Sequence, residues 1–360
     1  MIESMVLNLS SEVLHFPSEI EKVIFDELGG FYEPDFEKVQ QNLNANEDEL
    51  KAYLGTYFPR SFAESYTIFV ELINNKFIKY NFQNKHELFI LDIGSGTGGN
   101  LLGFLWFMRK FFKNKNISII SIDGSKNALS YQRLLLKKFF PEVKFRLFKD
   151  LMSRNNFSDE LGKILYKCQI EKFDIIMAFK FVNELYRTGP QYSKNKGMYK
   201  IVTEAVSDFI DEDGLFILTD VTDPIVPNGY LSKIMNGEIL DYLNSNAANL
   251  RLILPLSCAF WYKKCRYSKS CFTQKEVSFK INDTDTLNTS QKFWRKSKIS
   301  YKVFVHKKIV DKILSEIDEQ DRYKIAKGKT CIKGIYMVHY DNPVLANKYK
   351  DAFSLDSTNV

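Results

Sequence analysis

A glycine-rich turn between an apolar strand and a helix constrains the fold of this chain more than any other feature. The turn occupies 91–99 and reads Leu-Asp-Ile-Gly-Ser-Gly-Thr-Gly-Gly. Glycine is needed where the backbone bends with positive φ and where a ligand lies against bare main chain. A strand, such a turn and a helix form the ligand-binding corner of Rossmann-like folds. The segment therefore predicts a nucleotide-like ligand at the carboxyl end of a parallel sheet.

Short apolar strands alternate with longer helical segments around this turn, which is typical of a parallel α/β sheet. Strands are predicted at 88–92, 117–122, 143–148, 173–178 and 215–220, and helices at 98–112, 125–139, 158–168 and 197–210. The alternation stops after Asp220 and resumes with a strand at 299–305, a helix at 307–318 and a strand at 334–339. The last two strands would complete a seven-stranded sheet.

The pattern divides the chain into five regions. They are a helical region at 1–80 punctuated by Pro34 and Pro59, a Rossmann-like core at 81–220, a basic cysteine-containing insertion at 221–298, closing strands at 299–341 and a tail at 342–360. The helical region is predicted from amphipathic runs at 19–28, 48–54 and 61–76.

Composition excludes several classes of protein. Of the 360 residues, 45% are hydrophobic and 26% are charged, which is typical of a globular protein with a sizeable core. The apolar runs fall short of the roughly 20 residues that a membrane span needs. The first residues resemble neither a secretory signal nor a transit peptide. We therefore expect no membrane association and a cytoplasmic, reducing location; the oligomeric state is left open.

Charge is distributed unevenly along the chain. Residues 1–60 contain twelve acidic and four basic side chains, whereas 251–310 contain fourteen Lys or Arg and three acids. The basic block also contains aromatic residues, among them Trp261, Tyr262 and Trp294. Cations for phosphates and flat rings for bases are what a polyanion-binding surface requires. A well-solvated basic surface without a partner is the alternative.

Asp92 helps to decide which ligand the glycine turn holds. Gly94, Gly96 and Gly99 also satisfy the G-x-G-x-x-G pattern of dinucleotide-binding proteins. However, a carboxylate two residues before the first glycine is poorly placed beside a pyrophosphate and well placed for an ammonium group. A ligand that carries an amine is therefore favoured over a dinucleotide.

The turn resembles motif I of the class I S-adenosylmethionine (SAM) methyltransferases, which reads D-x-G-x-G-x-G. The resemblance implies that Asp92 orients the amino group of SAM, that Asp123 after the second strand accepts both ribose hydroxyls, and that Asp150 after the third lies near the adenine. Phe179, at the end of the fourth strand, would line the reactive side. The implied cofactor-binding residues are Asp92, Gly94, Ser95, Gly96, Gly98, Asp123, Asp150 and Phe179.

The methyl acceptor is not identified by a sequence signature. The fourth strand is followed by neither an Asn/Asp-Pro-Pro-aromatic tetrapeptide nor a Pro-Cys nucleophile. Lys180, Glu184 and Tyr186 are candidate acceptor-site residues, with Glu184 as general base. A plain salt-linked helix start is the alternative role for Glu184.

Four of the five cysteines have spacings that could describe a metal site. Cys258, Cys265, Cys271 and Cys331 follow C-x6-C-x5-C-x59-C. Cytosolic cysteines in such a group are more often ligands than disulfides, and four thiolates suit either zinc or an iron–sulfur cluster. Scattered buried thiols, as expected for Cys168, are the remaining interpretation.

The chain also resembles the mitoribosomal small-subunit methyltransferase-like family over roughly 53–340. The similar segments are 57–63 (YFPRSFA), 173–176 (FDII), 182–185 (VNEL), 271–275 (CFTQK) and 299–303 (ISYKV). Members of that family assist assembly of the small ribosomal subunit, and they have three close cysteines and a fourth about 60 residues later. The resemblance implies a 4Fe–4S cluster on Cys258, Cys265, Cys271 and Cys331.

Three functions are consistent with these observations. The first is a SAM-binding methyltransferase-like protein directed to small-subunit ribosomal RNA, with Lys263, Lys264, Arg266, Lys269, Arg295 and Lys296 facing phosphates. The second is a methyltransferase of a small molecule or a protein, with the 221–298 segment as a lid. The third is a non-catalytic assembly factor that SAM only stabilises.

Overall fold

The computed structural model describes residues 14–33, 43, 45–73, 76–187, 196–222, 224–225, 229–246, 248–254, 259, 275–281 and 296–314. Within these residues, no helix is both long and apolar enough to cross a membrane.

The described residues form eleven strands and ten α-helices. The strands are β1 (Leu14–His15), β2 (Glu87–Ile93), β3 (Asn116–Asp123), β4 (Lys144–Lys149), β5 (Phe173–Phe179), β6 (Ile210–Val221), β7 (Pro224–Ile225), β8 (Gly229–Tyr230), β9 (Leu250–Leu254), β10 (Lys275–Lys280) and β11 (Lys296–His306). The helices are α1 (Ser18–Lys22), α2 (Glu47–Leu72), α3 (Lys76–Asn84), α4 (Gly99–Phe111), α5 (Lys126–Phe139), α6 (Phe157–Cys168), α7 (Val182–Arg187), α8 (Met198–Ser207), α9 (Leu231–Leu243) and α10 (Val310–Leu314). A π-helical turn, Val23–Glu27, continues α1.

One large sheet organises the molecule. Its strand order is β1-β10-β11-β6-β5-β2-β3-β4, and β9 pairs with β11. Strands β2 to β6 are parallel to their neighbours, whereas β11 runs antiparallel to β6 and to β10. The predicted Rossmann-like α/β fold with a mostly parallel central sheet is confirmed, and the sheet has nine strands in place of the seven expected. Because the chain proceeds from β2 to one side and then returns to β5 on the other, a crevice opens at the carboxyl end of β2.

The strands that complete the sheet differ from those expected. The sixth strand of the core is β10, which comes from the segment expected to be an insertion, and β9 of the same segment pairs with β11. The strand expected at 334–339 lies outside the described residues. The sequence of β10 contains two apolar residues, Val277 and Phe279, and therefore gives little indication of a strand. The strand is defined by its pairing with β1 and β11.

The helices cover both faces of the sheet, which explains why β2, β3, β5 and β6 are buried over most of their length, whereas the edge strand β4 is partly exposed. One face packs against α2, α3, α4 and α5, and the other packs against α6, α8 and α9. Helix α2 crosses α4 closely: a Cβ atom on Gly103 would lie 2.3 Å from the carbonyl oxygen of Phe62. This contact places α2 beside the glycine turn.

Helix α2 is longer than the sequence predicts. It begins with a capping box, in which the Asn46 side chain accepts from the Glu49 N–H at 2.9 Å and the Glu49 carboxylate accepts from the Asn46 N–H at 2.8 Å. It continues through Pro59, which was expected to end a helix. A proline inside a helix removes one hydrogen bond. Here the burial of flanking residues such as Phe58 and Phe62 offsets that loss.

Candidate functional site

The glycine turn adopts the conformation that only glycine reaches easily. Gly94, Gly96 and Gly98 have φ values of 68°, 53° and 87°. The Gly94 N–H donates to the Ile122 carbonyl of β3 at 2.8 Å, and the Gly98 N–H donates to the Ser95 carbonyl at 2.9 Å. Gly98 is also the N-cap of α4. The turn is thus fixed between β2 and the start of α4.

Asp92 lies fully buried at the end of β2. Its Oδ1 accepts from the Asn100 side chain at 2.7 Å, while its Oδ2 has no hydrogen-bond partner. The pKa of Asp92 is raised to about 7, chiefly by burial; the Asn100 hydrogen bond lowers it and the charge of Asp123 raises it. A buried carboxylate oxygen without a donor is costly unless a cation or a proton satisfies it.

Asp123 ties the turn to the neighbouring strand. Its Oδ2 accepts from the Gly96 N–H at 2.8 Å, and its Oδ1 accepts from the Ser125 N–H at 2.8 Å. Burial raises the pKa of Asp123, and these two hydrogen bonds lower it. Because the side chain is partly exposed and each oxygen has a second lone pair, this carboxylate can still accept from two hydroxyls of a ligand.

Asp150 and Phe179 occupy different surroundings. Asp150 follows β4, and its N–H donates to the Asp123 carbonyl at 3.0 Å, so the two acidic residues are neighbours at the carboxyl edge of the sheet. Phe179 is buried in the core on the α2 side. The ring that lies against the turn is that of Phe181, since a Cβ atom on Gly94 would be 2.5 Å from its Cβ.

Lys180 connects the end of β5 to α2. It has a positive φ of 55°, a region in which a non-glycine residue is strained. Its ammonium group lies 2.8 Å from Glu64 Oε2 and donates to Ser61 Oγ at 3.2 Å. Glu64 is fully buried, and the Ser297 hydroxyl donates to its other oxygen. The pair fixes α2 relative to the carboxyl edge.

The three candidate acceptor-site residues do not converge on one point. Lys180 faces α2, Glu184 is exposed on α7, and Tyr186 is buried. The Tyr186 hydroxyl donates to Glu238 of α9 at 2.5 Å, and burial, followed by the Glu238 charge, raises its pKa. Glu238 also accepts from the Gly197 and Tyr199 N–H groups, so Tyr186 belongs to a network that supports the start of α8. Of the three, Glu184 is the one whose side chain is exposed.

Several residues of the site were not predicted from the sequence. Gln132 of α5 accepts from the Ser95 hydroxyl at 2.9 Å and donates to Ser121 at 2.8 Å, which braces the turn from below. Asn183 donates its N–H to Asp220 at 2.9 Å, and its buried side-chain oxygen has no hydrogen-bond partner. Asn100 directly follows the turn at 91–99 in the sequence, and this adjacency could have identified it as a residue of the site.

The proposed cysteine ligands, Cys258, Cys265, Cys271 and Cys331, lie outside the described residues. Among the residues that the structure does describe, Cys168 is a free, buried thiol in α6. Burial raises its pKa, which is the behaviour of an inert structural thiol.

The sequence matches no protein-family model and no curated protein. Among solved structures, it is similar to the CMeT domain of the citrinin polyketide synthase, with 19% identity, 40% of this chain and 31% of that chain covered, and a TM-score of 0.27. It is also similar to the cyclopropane synthase MmaA2 from Mycobacterium tuberculosis, with 10% identity and a TM-score of 0.29, over 63% of this chain and 57% of that chain. A third similar structure is geranyl diphosphate C-methyltransferase from Streptomyces coelicolor A3(2), solved with Mg2+, geranyl diphosphate and S-adenosyl-L-homocysteine. Its identity is 11% and its TM-score is 0.35, over 80% of this chain and 97% of that chain. The chain spans less than two thirds of the first two structures.

Proposed function

We propose that this protein binds SAM and transfers its methyl group. The observation that carries the proposal is the buried Asp92 oxygen without a hydrogen-bond partner, which lies behind a turn of three glycines with positive φ. An ammonium group satisfies both the charge and the missing hydrogen bond of that oxygen. The amine of SAM is such a group, whereas a pyrophosphate would repel the carboxylate.

The remaining residues fit the rest of the cofactor. Asp123 would accept from the ribose hydroxyls, and Asp150 beside it would lie near the adenine. When bound, SAM supplies a sulfonium-activated methyl group: a lone pair of the acceptor bonds the methyl carbon as the carbon–sulfur bond breaks, and its electrons stay on sulfur. Glu184, the exposed carboxylate on α7 after β5, would take the proton that the acceptor loses. The protein's main task is then to align the acceptor.

Calorimetric titration with SAM and S-adenosylhomocysteine tests the cofactor. We expect both to bind the wild type and to bind Asp92→Asn more weakly, since asparagine keeps the shape and removes the charge. Gly162→Ala is the matched control, because nothing lies within 4 Å of a Cβ atom at that position in α6. Heat with a nicotinamide dinucleotide and none with SAM would contradict the proposal.

We further propose that the acceptor is RNA of the small ribosomal subunit. The proposal is supported by the basic and aromatic residues of 251–310, of which Lys280 and Lys307 are exposed in the described part. Filter binding should then weaken steeply between low and physiological salt, because counterions are released when phosphates bind. Affinity that does not depend on salt would contradict it. Methyl transfer to an RNA-free extract would favour a small-molecule or protein acceptor instead.

A non-catalytic assembly role predicts a different outcome. In that case SAM binds, but no labelled methyl group reaches RNA or any other fraction, and Gly96→Val removes SAM binding. Normal small-subunit assembly in cells with that variant would show that SAM binding is dispensable for assembly.

For the cysteines we propose a 4Fe–4S cluster held by Cys258, Cys265, Cys271 and Cys331. Four thiolates suit such a cluster as well as zinc. Anaerobic purification followed by an absorption spectrum and metal analysis distinguishes about four irons per chain from one zinc or neither. Cys168→Ser is the control, since its buried position in α6 predicts an unchanged metal content.

A further inference from the structure

A row of basic side chains follows the exposed face of α5. Residues 124–149 contain seven Lys or Arg and one acid, Glu142, which is a higher density of positive charge than in 251–310. Lys126, Arg133 and Lys137 are separated by seven and then four positions, so they share one face of the helix. All three are exposed. Because a helix rises about 1.5 Å per residue, the row is about 17 Å long.

A second row lies on β4, the last strand in the order of the large sheet. Its side chains Lys144, Arg146 and Lys149 are exposed. A strand of six residues spans about 17 Å, so the two rows have similar lengths. Lysine on an edge strand also discourages pairing with a further strand. That role does not account for the row on α5.

Close packing holds the two rows side by side. A short turn joins α5 to β4, in which the Val143 N–H donates to the Phe140 carbonyl at 3.0 Å. Phe145 and Leu147 of β4 pack against the same core cluster that contains Leu135 of α5. The two rows therefore form one surface, which we call the α5–β4 surface. Its six exposed basic residues are Lys126, Arg133, Lys137, Lys144, Arg146 and Lys149.

Protein carboxylates do not neutralise the α5–β4 surface. Within the part of the chain that the structure describes, none of its six basic residues forms an ion pair, whereas the neighbouring Lys138 is paired with Glu27. Arg146 donates to the Cys168 carbonyl at 3.3 Å, which leaves its charge uncompensated. Like charges held on adjacent rigid elements repel one another, and a bound polyanion relieves that repulsion.

The α5–β4 surface ends beside the proposed cofactor site. Lys149 is the partner of Asp123 in the ladder between β3 and β4. Asp150, the next residue, donates its N–H to the Asp123 carbonyl at 3.0 Å. Lys126 follows Asp123 by three positions and begins α5. Both rows therefore lead to the carboxyl edge of the sheet, where the cleft opens.

We propose that RNA lies with its phosphate backbone along the α5–β4 surface, which directs the nucleotide to be methylated towards the cleft at Asp123. This inference rests on the proposed RNA acceptor and adds the surface that holds it. An anionic membrane fits these residues less well, because an interfacial helix inserts its apolar face into lipid. The apolar residues of α5, such as Leu129 and Leu135, are buried in the protein.

Filter binding of a small-subunit ribosomal RNA transcript between about 50 and 200 mM salt tests the surface. The triple variant Arg133→Gln/Lys137→Gln/Lys144→Gln removes three exposed cations. We expect the slope of log affinity against log salt concentration to become shallower by about two to three, because each phosphate contact contributes about 0.7–0.9.

The matched control is Lys163→Gln/Lys167→Gln/Lys172→Gln, which removes the same charge from exposed positions on and just after α6. It should keep the wild-type slope, and equal slopes for the two triple variants would overturn the inference. Vesicles of phosphatidylserine and phosphatidylcholine provide a further comparison. If only vesicle binding is lost in the α5–β4 variant, the surface binds membrane and the inference is overturned.

Photo-crosslinking locates the RNA directly. We expect p-benzoyl-phenylalanine incorporated at position 133 to crosslink to the transcript, and the same group at position 166 not to do so. Tyr166 is a suitable control position because it is 87% exposed on α6. Crosslinks from position 166 and none from position 133 would overturn the inference. If the wild type itself shows no salt-dependent affinity for RNA, the proposed RNA acceptor fails instead, and the two failures are thereby distinguished.

Discussion

The raised pKa of Asp92 predicts that the proposed binding of SAM depends on pH. In the free protein its pKa is about 7, so at pH 6 the carboxyl group is mostly protonated. An ammonium ligand binds the ionised form and must displace that proton. We therefore expect affinity for SAM to rise about tenfold per pH unit from 5.5 towards 7 and then to level off. Calorimetry in two buffers of different ionisation enthalpy measures the released proton, and Asp92→Asn should release none.

The same carboxylate costs stability when no ligand is present. The folded-state pKa of Asp92 is raised above that of the unfolded chain, so the folded state binds the proton more tightly between about pH 4 and 7. The contribution of Asp92 to stability is therefore favourable at low pH and is lost as the pH rises through 7. At pH 8 and without SAM, Asp92→Asn should have a higher melting temperature than wild type. A lower melting temperature would show that the charged form is already satisfied.

Lys180 and Glu64 form a pair in which each residue needs the other. Glu64 is fully buried, and the Lys180 ammonium lies 2.8 Å from it. Lys180→Met leaves a buried carboxylate without its cation and should destabilise the fold by about 3–5 kcal/mol. Urea unfolding of Lys180→Met with and without Glu64→Gln checks this, because the neutral amide should recover most of the loss. An additive double variant would contradict a direct pair.

At the scale of elements, the crossing of α2 and α4 leaves no space for a side chain. A Cβ atom on Gly103 would lie 2.3 Å from the backbone oxygen of Phe62, which cannot move without the helix. Gly103→Ala should therefore destabilise the protein by about 1–3 kcal/mol. In contrast, Gly162→Ala in α6 meets nothing within 4 Å and should stabilise by up to about 1 kcal/mol. Thermal unfolding of the two variants gives the comparison, and shifts of the same sign would contradict it.

The elements also show what local sequence can predict. Strands β2, β3 and β5 lie within two residues of their predicted bounds, because continuous apolar runs between helical segments are a local signal. The passage of α2 through Pro59 and the pairing of β10 carry no such signal, since both depend on contacts distant in sequence.

The residues of the candidate site likewise fall into those that the local sequence could predict and those that depend on tertiary packing. Asp92 and Asp123 were predictable because carboxylates that end neighbouring parallel strands meet at one edge. Gln132 was not, since it comes from a helix that reaches the turn only through tertiary packing. The left-handed φ of Lys180 was equally hidden, because its sequence neighbours give no reason for it.

Across the whole molecule, the two edges of the sheet carry opposite kinds of charge arrangement. The carboxyl edge holds the unsatisfied oxygen of Asp92, whereas at the amino edge the Lys85 ammonium is paired with three carboxylates. It contacts Asp174 and Asp213 closely and lies 3.2 Å from Asp211. The amino edge is thus internally compensated and joins α3 to the starts of β5 and β6, so its role is structural.

This separation predicts that the edges act independently. Lys85 and Asp92 lie near opposite ends of the seven-residue strand β2, which spans roughly 20 Å. Lys85→Met should destabilise the fold by about 2 kcal/mol, since it leaves partly buried carboxylates unpaired, and should leave the dissociation constant for SAM within about twofold of wild type. Because groups so far apart rarely couple, the unfolding free energies of Lys85→Met and Asp92→Asn should add within about 0.5 kcal/mol in the double variant. A larger departure from additivity would contradict this independence and would mean that the sheet transmits strain between its edges. A ligand bound at Asp92 would then also change the pairing of Lys85.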